Sequence, residues 1–338
     1  MPGNTTVESY QKVNRAIYRM LPECTPRDKT FEIDHLQPNF VCSLKVAAEP
    51  MQHITNALRQ LVTSMEGVVV NIFTTREGLR LEIKLANGVL HYIMARRVII
   101  ATGARPRTLE LPVAKNNVTM IDPTVAFIQS ELADYLQKNP NITSVAVIGS
   151  SHSAALATMH LLQAGVTVKQ FMSKEYKYAM PSISKEGTQY TMYDNTGLKG
   201  EVAKFTKQLL DNLQADKGEY RGKLVRYIGE HHQAVYSLLE KHLTGCSHAV
   251  AAIGYEPSHT LQVNHQPLSK FSYDNETTKF TGVNGLFGIG IAFPQVVTAI
   301  SGEIELAVGY GKFWETVNNP RVIASWQQAL SHVAFPSI

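Results

Sequence analysis

The sequence predicts an α/β fold in three layers, with a parallel sheet between helices. An apolar strand at 145–148 runs into a helical apolar pattern at 153–163 and then into a second apolar strand at 166–171. Short apolar runs that end in glycine turns recur at 98–100 and 248–253. The chain has 338 residues, of which 44% are hydrophobic, which is enough for two domains or one large α/β domain.

The first third of the chain contains elements of both kinds. Val13, Ile17 and Met20 lie on one face of a predicted helix at 7–20, and Met51, Ile54, Leu58 and Leu61 recur at helical spacing. The second pattern predicts a helix over 48–65 with Pro50 near its first turn. Residues 1–6 contain Pro2, Gly3 and Asn4, which are typical of a turn, and 21–42 is irregular and polar. Apolar or alternating residues predict three strands, namely 68–73, 78–84 and 89–95, with Asn87-Gly88 forming a type I′ turn.

The remaining elements follow from the same patterns. The helices predicted by apolar periodicity are 123–137, 201–213 and about 295–310, the last from Val296, Ala299, Ile300 and Ile304. Another strand is predicted at 224–228. Residues 175–200 are rich in Tyr, Ser and Gly and predict a loop, while Trp314 and Trp326 indicate a packed amphipathic end.

Composition narrows the classes of partner. The net charge is +4 without a Lys/Arg block, so neither nucleic acid nor membrane binding is indicated. No signal-peptide pattern opens the chain, which makes a cytoplasmic location the expectation, and a homo-oligomer remains open. The three cysteines form no C-x-x-C pair, so no redox dithiol and no metal site is predicted.

The strongest candidate site is the turn between the strand at 145–148 and the following helix. It has the order Gly149-Ser150-Ser151-His152-Ser153-Ala154, a relaxed form of the G-x-G-x-x-G/A fingerprint in which the middle glycine is serine. Amide N–H groups at a helix start and the helix dipole favour a diphosphate there. His152 is a candidate phosphate donor or an idle surface residue. The alternative is a strand–helix–strand unit that binds nothing.

Lys174 follows the second strand of this unit, where an acidic side chain selects NAD and a basic one selects NADP. No Asp or Glu occurs from 166 to 174, and Glu175 comes one place later. The pattern therefore favours NADP, with NAD or a solvated lysine as alternatives. Asp194, Asn195 and Lys199 lie in the next polar loop and indicate either a substrate cleft or an ordinary turn.

Taken together, four segments resemble the flavoproteins with two dinucleotide-binding domains, the pyridine nucleotide–disulfide oxidoreductase type. The segments are Ile99–Pro106, Gly149–Ala154, Gly254–Pro257 and Gly285–Gly290. The G-S-S-H-S-A form is most similar to that of flavin-dependent N-hydroxylating monooxygenases. This resemblance implies a Rossmann-like FAD/NAD(P)-binding fold in which a flavin-type domain, 1–110 and 258–338, is interrupted by an NAD(P)-binding domain, 111–257.

The resemblance also implies cofactors and an activity. NADP, or NAD, would bind Gly149, Ser150, Ser151, His152, Ser153, Ala154 and Lys174. FAD would bind Ala101, Thr102, Gly103, Gly290, Ile291, Phe293 and Pro294. Hydride would pass from NADPH to the flavin and then to oxygen or a small acceptor of unknown identity. The absence of C-x-x-C favours a monooxygenase or oxidase over a disulfide reductase, and no catalytic side chain is demanded.

Two departures from the family pattern bear on FAD. Ile291 stands where the family has an acidic residue, and isoleucine offers no hydrogen bond to a ribityl chain. No strand–GxGxxG–helix unit is recognisable before residue 98, so either the chain lacks that unit or another surface replaces it. Both departures predict FAD binding below full strength. They leave open the alternative that the chain is a degenerate family member, which lacks flavin and acts as an NADP-binding or regulatory protein.

Overall fold

The computed structural model describes residues 2–111, 118–257, 261–300 and 302–328. Its α-helices are α1 (Val7–Met20), α2 (Leu44–Leu61), α3 (Pro123–Phe127), α4 (Gln129–Lys138), α5 (His152–Gln163), α6 (Gly200–Gln214), α7 (His232–His242), α8 (Tyr310–Val317) and α9 (Pro320–Gln328). The strands before α5 are β1 (Pro2–Thr6), β2 (Val41–Ser43), β3 (Val68–Thr75), β4 (Gly78–Lys84), β5 (Leu90–Ala95), β6 (Val98–Ile100), β7 (Ala104–Pro106), β8 (Thr119–Met120) and β9 (Ser144–Ile148). The strands after α5 are β10 (Thr167–Met172), β11 (Met180–Ile183), β12 (Gln189–Met192), β13 (Leu224–Ile228), β14 (His248–Ala251), β15 (Tyr255–Pro257), β16 (Gln262–Val263), β17 (Gln266–Pro267), β18 (Leu286–Gly288), β19 (Gln295–Thr298) and β20 (Ile304–Ala307).

A five-stranded parallel sheet forms the centre of the segment from β8 to β14. Its strand order is β13-β10-β9-β14-β8. Successive residues of β9 point to opposite faces, so Val145 and Val147 pack with α3, α4, α5 and α6 while Ala146 and Ile148 pack with α7. All four side chains are buried. The sheet therefore lies between two helical layers, and the predicted three-layer α/β fold is confirmed.

The N-terminal and C-terminal parts of the chain share strands outside this sheet. β16 pairs in parallel with β3 inside a five-stranded sheet of order β17-β16-β3-β4-β5. β18 pairs in parallel with β6, with Leu286 opposite Val98 and Gly288 opposite Ile100. A buried cluster that includes Ile72, Ile100 and Phe293 packs these strands together.

A short antiparallel pair joins the two points where the chain passes between these sheets. β7 pairs with β15, with Tyr255 opposite Pro106, and the Arg105 and Glu256 side chains lie 2.9 Å apart. The two similar segments at 98–106 and 249–257 thus meet each other in space. Their pairing brings the ends of the central segment together.

The structure corrects several boundaries in the first third of the chain. Residues 2–6 form β1, which pairs with β2, and not the predicted turn. The helix predicted at 48–65 begins at Leu44 because the Ser43 hydroxyl accepts a hydrogen bond from the Val46 amide, so Pro50 lies inside α2. Both β1 and β2 run into their helices without a glycine turn.

Three further local predictions were wrong in detail. The β4–β5 connection is not a type I′ turn, because only Gly88 has a positive φ (82°) and its amide donates to the Leu85 carbonyl. The helix predicted at 123–137 is divided into α3 and α4 at Ile128, whose φ and ψ are extended. The loop at 175–200 contains the hairpin of β11 and β12.

The helix predicted at about 295–310 is absent, and a β-hairpin takes its place. β19 and β20 pair in register with Val296 opposite Leu306 and Thr298 opposite Ile304. Gly302 has a φ of +81°, which interrupts a helix between the two strands. Helix α8 begins only at Tyr310.

Candidate functional site

The loop between β9 and α5 has the geometry of a dinucleotide site. Gly149 has a φ of +138°, and a Cβ atom there would lie 2.3 Å from the Ala252 carbonyl oxygen. Only glycine fits this position without a shift of the backbone. Its amide donates to the carbonyl of Phe171 in β10, which fixes the turn between β9 and α5 against the neighbouring strand.

Helix α5 starts immediately after this turn, with Ser151 as its N-cap residue and exposed. Its first amide N–H groups have no partner within the helix, and the positive end of the dipole lies at the same place. Ser150 and Ser153 are half-buried, and Ala154 is buried against the sheet. The structure therefore brings the six predicted loop residues into one short turn at a helix start.

His152 contributes an unsatisfied polar atom to this turn. Its Nδ1 is shielded from solvent and has no hydrogen-bond partner among the described residues. Burial lowers the pKa of His152, and the charge of Lys199 lowers it further, so the imidazole is neutral at pH 7. A buried imidazole nitrogen without a partner fits a ligand that supplies one.

Lys174 is exposed just beyond the end of β10. The neighbouring Glu175 carboxylate is paired with the Arg226 guanidinium on β13. Arg226 also lies over the Tyr176 ring, 5.7 Å from its centroid. Burial raises the pKa of Tyr176 to about 12, so that ring stays neutral. The acidic group at this edge is thus neutralised, while the lysine ammonium faces solvent.

The two candidate flavin segments meet at the carboxyl ends of β6 and β18. The Ile289 amide donates to the Ile100 carbonyl at 2.9 Å, which places the Ala101–Gly103 turn beside Gly290. Gly103 and Gly290 have φ values of 72° and 84°, and a Cβ at either would meet no atom within 4 Å. Ala101 and Thr102 are exposed. This edge therefore has open space next to both glycines.

The side chains after Gly290 fit a flavin only in part. Ile291 is exposed and apolar, and it supplies no hydrogen bond for a ribityl chain. The Phe293 ring is buried against Tyr273 and Phe280, so it belongs to the core and does not present a face to a cofactor. Pro294 is half-buried. Because β19 and not a helix follows Pro294, no helix N-terminus is directed at the ring from this side.

The loop with Asp194, Asn195 and Lys199 makes contacts that the sequence did not indicate. Lys199 pairs with Asp194 at 2.7 Å, and Asn195 donates to Glu305 on β20. Sequence analysis missed Glu305 because it assigned that position to a helix. It also missed Arg226, because an isolated arginine within a strand carries no signal until the neighbouring strand is known.

The cysteine thiols lie in separate parts of the core. Cys24, Cys42 and Cys246, the cysteines of the chain, are free and buried in separate places. Burial raises the pKa of the Cys24 and Cys42 thiols, which keeps them protonated at neutral pH. Among the described residues, no cluster of His, Cys, Asp and Glu could hold a metal ion, and no helix is long and apolar enough to cross a bilayer.

A three-layer fold with a glycine turn at the start of α5 defines a dinucleotide-binding protein. The chain belongs to the pyridine nucleotide-disulphide oxidoreductase family, which matches residues 26–290. This is a family of flavin-dependent, NAD(P)H-using oxidoreductases and monooxygenases, and membership supports FAD and NADP as cofactors.

Individual relatives agree with this assignment. The monooxygenase AgnR1 of Paecilomyces divaricatus is 30% identical over 351 residues, which cover 97% of this chain and 87% of that protein. The ornithine hydroxylase PvdA of Pseudomonas aeruginosa has a similar fold, with a TM-score of 0.58 at 13% identity over 98% of this chain and 87% of its own. The bacillithiol disulfide reductase Bdr of Bacillus cereus gives a TM-score of 0.54 at 13% identity over 95% and 94% of the two chains.

Proposed function

We propose that this protein is an NADPH-dependent flavin monooxygenase. The observation that carries the proposal is the β9–α5 turn, where a strained glycine, a helix start and the unpartnered Nδ1 of His152 converge. A bound flavin would accept a hydride from NADPH and transfer the electrons to oxygen. The start of α5 and Lys174 would hold NADPH, and the edge formed by Ala101–Gly103 and Gly290 would hold the flavin.

The two cofactors are assigned to different segments of the chain. Residues 111–257 form the NADP-binding domain, and residues 1–110 and 258–338 form the flavin-type domain. The β3–β16 and β6–β18 pairs support the union of the two outer segments. The β7–β15 pair supports a crossing point at the ends of the insert.

At the NADP site, the first amides of α5 bind the diphosphate and His152 donates or accepts one further hydrogen bond. Lys174 binds the 2′-phosphate of NADP. Arg226 supports this preference because it occupies the Glu175 carboxylate, which would otherwise compete for a ribose hydroxyl.

A monooxygenase is favoured over a disulfide reductase. A reductase of the dithiol type uses a reactive cysteine pair, and the cysteines here are buried in separate hydrophobic clusters. The relationship to AgnR1, whose name is that of a monooxygenase, supports the same choice. The substrate is unassigned, and the cytoplasmic location and homo-oligomer stay predictions.

Reconstitution tests the proposal. The purified chain is incubated with FAD, freed of unbound flavin, and its visible spectrum is recorded before and after anaerobic addition of NADPH or NADH. We expect a bound-flavin spectrum that NADPH bleaches faster than NADH does. A protein that stays colourless after FAD would contradict the proposal and favour a member that binds NADP without flavin.

A further inference from the structure

Two carboxylates, one in β20 and one just before it, bind residues of the segment between β10 and α6. Glu305 is only 3% exposed, and its oxygens accept hydrogen bonds from the Asn195 amide at 3.1 Å, the Asn195 side-chain nitrogen at 3.0 Å and the Thr196 hydroxyl at 2.7 Å. Glu303 accepts from the Lys177 ammonium at 2.8 Å through both oxygens. We call these contacts the β20 clasp.

The hairpin that carries the clasp is fixed to the outer segments at both ends. Phe293, before β19, packs in the buried cluster with Tyr273 and Phe280. Tyr310, after β20, stacks near Tyr10 with ring centroids 6.0 Å apart and donates to the Asn14 side chain at 3.1 Å. The hairpin is therefore packed against described residues of the N-terminal and C-terminal segments.

The partners of Glu305 lie in the loop before α6, which is near the candidate dinucleotide loop. Asp194, beside Asn195, pairs with Lys199, which is the N-cap residue of α6. Helix α6 packs beside α5, and the Lys199 charge acts on His152. Hydrogen bonds and an ion pair thus connect Glu305 through the 194–199 loop to the start of α6, and α6 packs beside α5.

The energetic character of the two pairs differs. Glu303 and Lys177 have side chains about one third exposed (37% and 34%), so water and salt weaken their pairing. The Glu305 carboxylate is shielded and receives three hydrogen bonds, which makes it costly to leave without partners. Glu305 is therefore expected to contribute more to the stability of the clasp than Glu303 does.

We propose that Glu305 is a positioning residue that fixes the orientation of the NADP-binding segment relative to the flavin-type segment. This inference rests on the proposed function for its catalytic consequence, since hydride transfer requires the two cofactors to meet in one geometry. The mechanical part concerns only the two segments and can be measured without any cofactor.

Distance measurement between spin labels tests the mechanical part. Labels are placed at His91→Cys on β5 and Glu240→Cys on α7, both exposed, while the native cysteines are buried. In the Glu305→Gln variant we expect a distance distribution at least about twice as wide as in the unsubstituted protein. Glu303→Gln is the matched control, because it removes the exposed pair two residues before Glu305, and we expect little broadening.

Substitution from the other side guards against a simple folding defect. Thr196→Val removes one partner of Glu305, and its effect should not add to that of Glu305→Gln, because both break the same contact. Equal widths for the unsubstituted protein and Glu305→Gln, with both folded by circular dichroism, would overturn the proposal.

The catalytic consequence is measured separately. In FAD-loaded protein, Glu305→Gln should slow flavin reduction by NADPH by about tenfold or more while the dissociation constant for NADP+ stays unchanged. A change in NADP+ affinity without a change in distance distribution would contradict a positioning role. Failure of the unsubstituted protein to bind FAD would reject the proposed function and leave the distance result to decide the clasp.

Discussion

At the residue scale, the candidate site depends on a few residues, only some of which can be recognised from the sequence. Gly149 can be recognised from the sequence because it follows an apolar strand in a glycine fingerprint. The structure gives the reason for the glycine, since its positive φ and its closeness to the Ala252 carbonyl leave no room for a Cβ atom. Ser151 replaces the middle glycine of the fingerprint, yet the turn forms. Glu305 and Arg226 cannot be recognised from the sequence, because their partners, Asn195 and Glu175, lie 110 and 51 residues away along the chain.

Lys174 can be tested by charge reversal. Lys174→Glu should lower the affinity for NADP+ by about tenfold, roughly 1.4 kcal/mol, and leave that for NAD+ nearly unchanged, because only NADP carries the 2′-phosphate. Calorimetric titration with both nucleotides measures this. Lys185→Glu, an exposed lysine between β11 and β12, makes the same change in net charge and should leave both affinities as they are. Equal losses for NADP+ and NAD+ in Lys174→Glu would remove Lys174 from the site.

At the element scale, the central β9–α5–β10 unit follows directly from sequence because its apolar strands and small helix residues are locally consistent. The hairpin of β19 and β20 does not. Its aliphatic residues also satisfy helical spacing, and the deciding features are the β-branched run Val296–Thr298 and Gly302. The buried face of β20, with Glu305 and Ala307, is recognisable only once its partner loop is known.

Two glycine-to-alanine substitutions test the packing of these elements. A Cβ at Gly288 in β18 would lie 2.7 Å from two ring atoms of Phe293, so Gly288→Ala should lower the free energy of unfolding by about 1–3 kcal/mol. Gly311 lies in α8 with no atom within 4 Å of a Cβ, and Gly311→Ala should raise that free energy by roughly 0.5 kcal/mol. Urea unfolding measures both. A neutral Gly288→Ala would show that Phe293 is not packed as described.

At the scale of the whole molecule, two sheet systems are connected by the β7–β15 pair and by the β20 clasp. The sequence predicted the fold class and the order of the main elements, because each depends on local patterns. It could not predict how the segments meet, because the contacts of Glu305 join positions that no local pattern relates. The pairing of β1 with β2 was missed for the same reason.

The clasp should also contribute to the pH dependence of stability. Burial opposes ionisation of Glu305, but hydrogen bonds from Thr196 and Asn195 outweigh it, so the pKa of Glu305 lies below its ordinary value despite the nearby Asp194. The stabilisation is therefore present above the unfolded-state pKa of about 4.3 and is lost as the pH falls through the lower folded-state pKa.

Urea unfolding from pH 7 to about pH 3 provides the measurement. The free energy of unfolding of the unsubstituted protein should exceed that of Glu305→Gln by about 1–3 kcal/mol at pH 7, and this difference should shrink on acidification. A difference that is constant across this range would mean that ionised Glu305 makes no special contribution.

Binding of a dinucleotide diphosphate at the start of α5 is tested most directly by Ser151→Asp. Aspartate is a favourable N-cap residue and its charge complements the helix dipole, so thermal stability should be unchanged or slightly raised. The same carboxylate would repel a diphosphate, so calorimetric titration should show at least about a tenfold loss of NADP+ affinity. An equally stable variant that binds NADP+ as tightly as the unsubstituted protein would contradict the assignment.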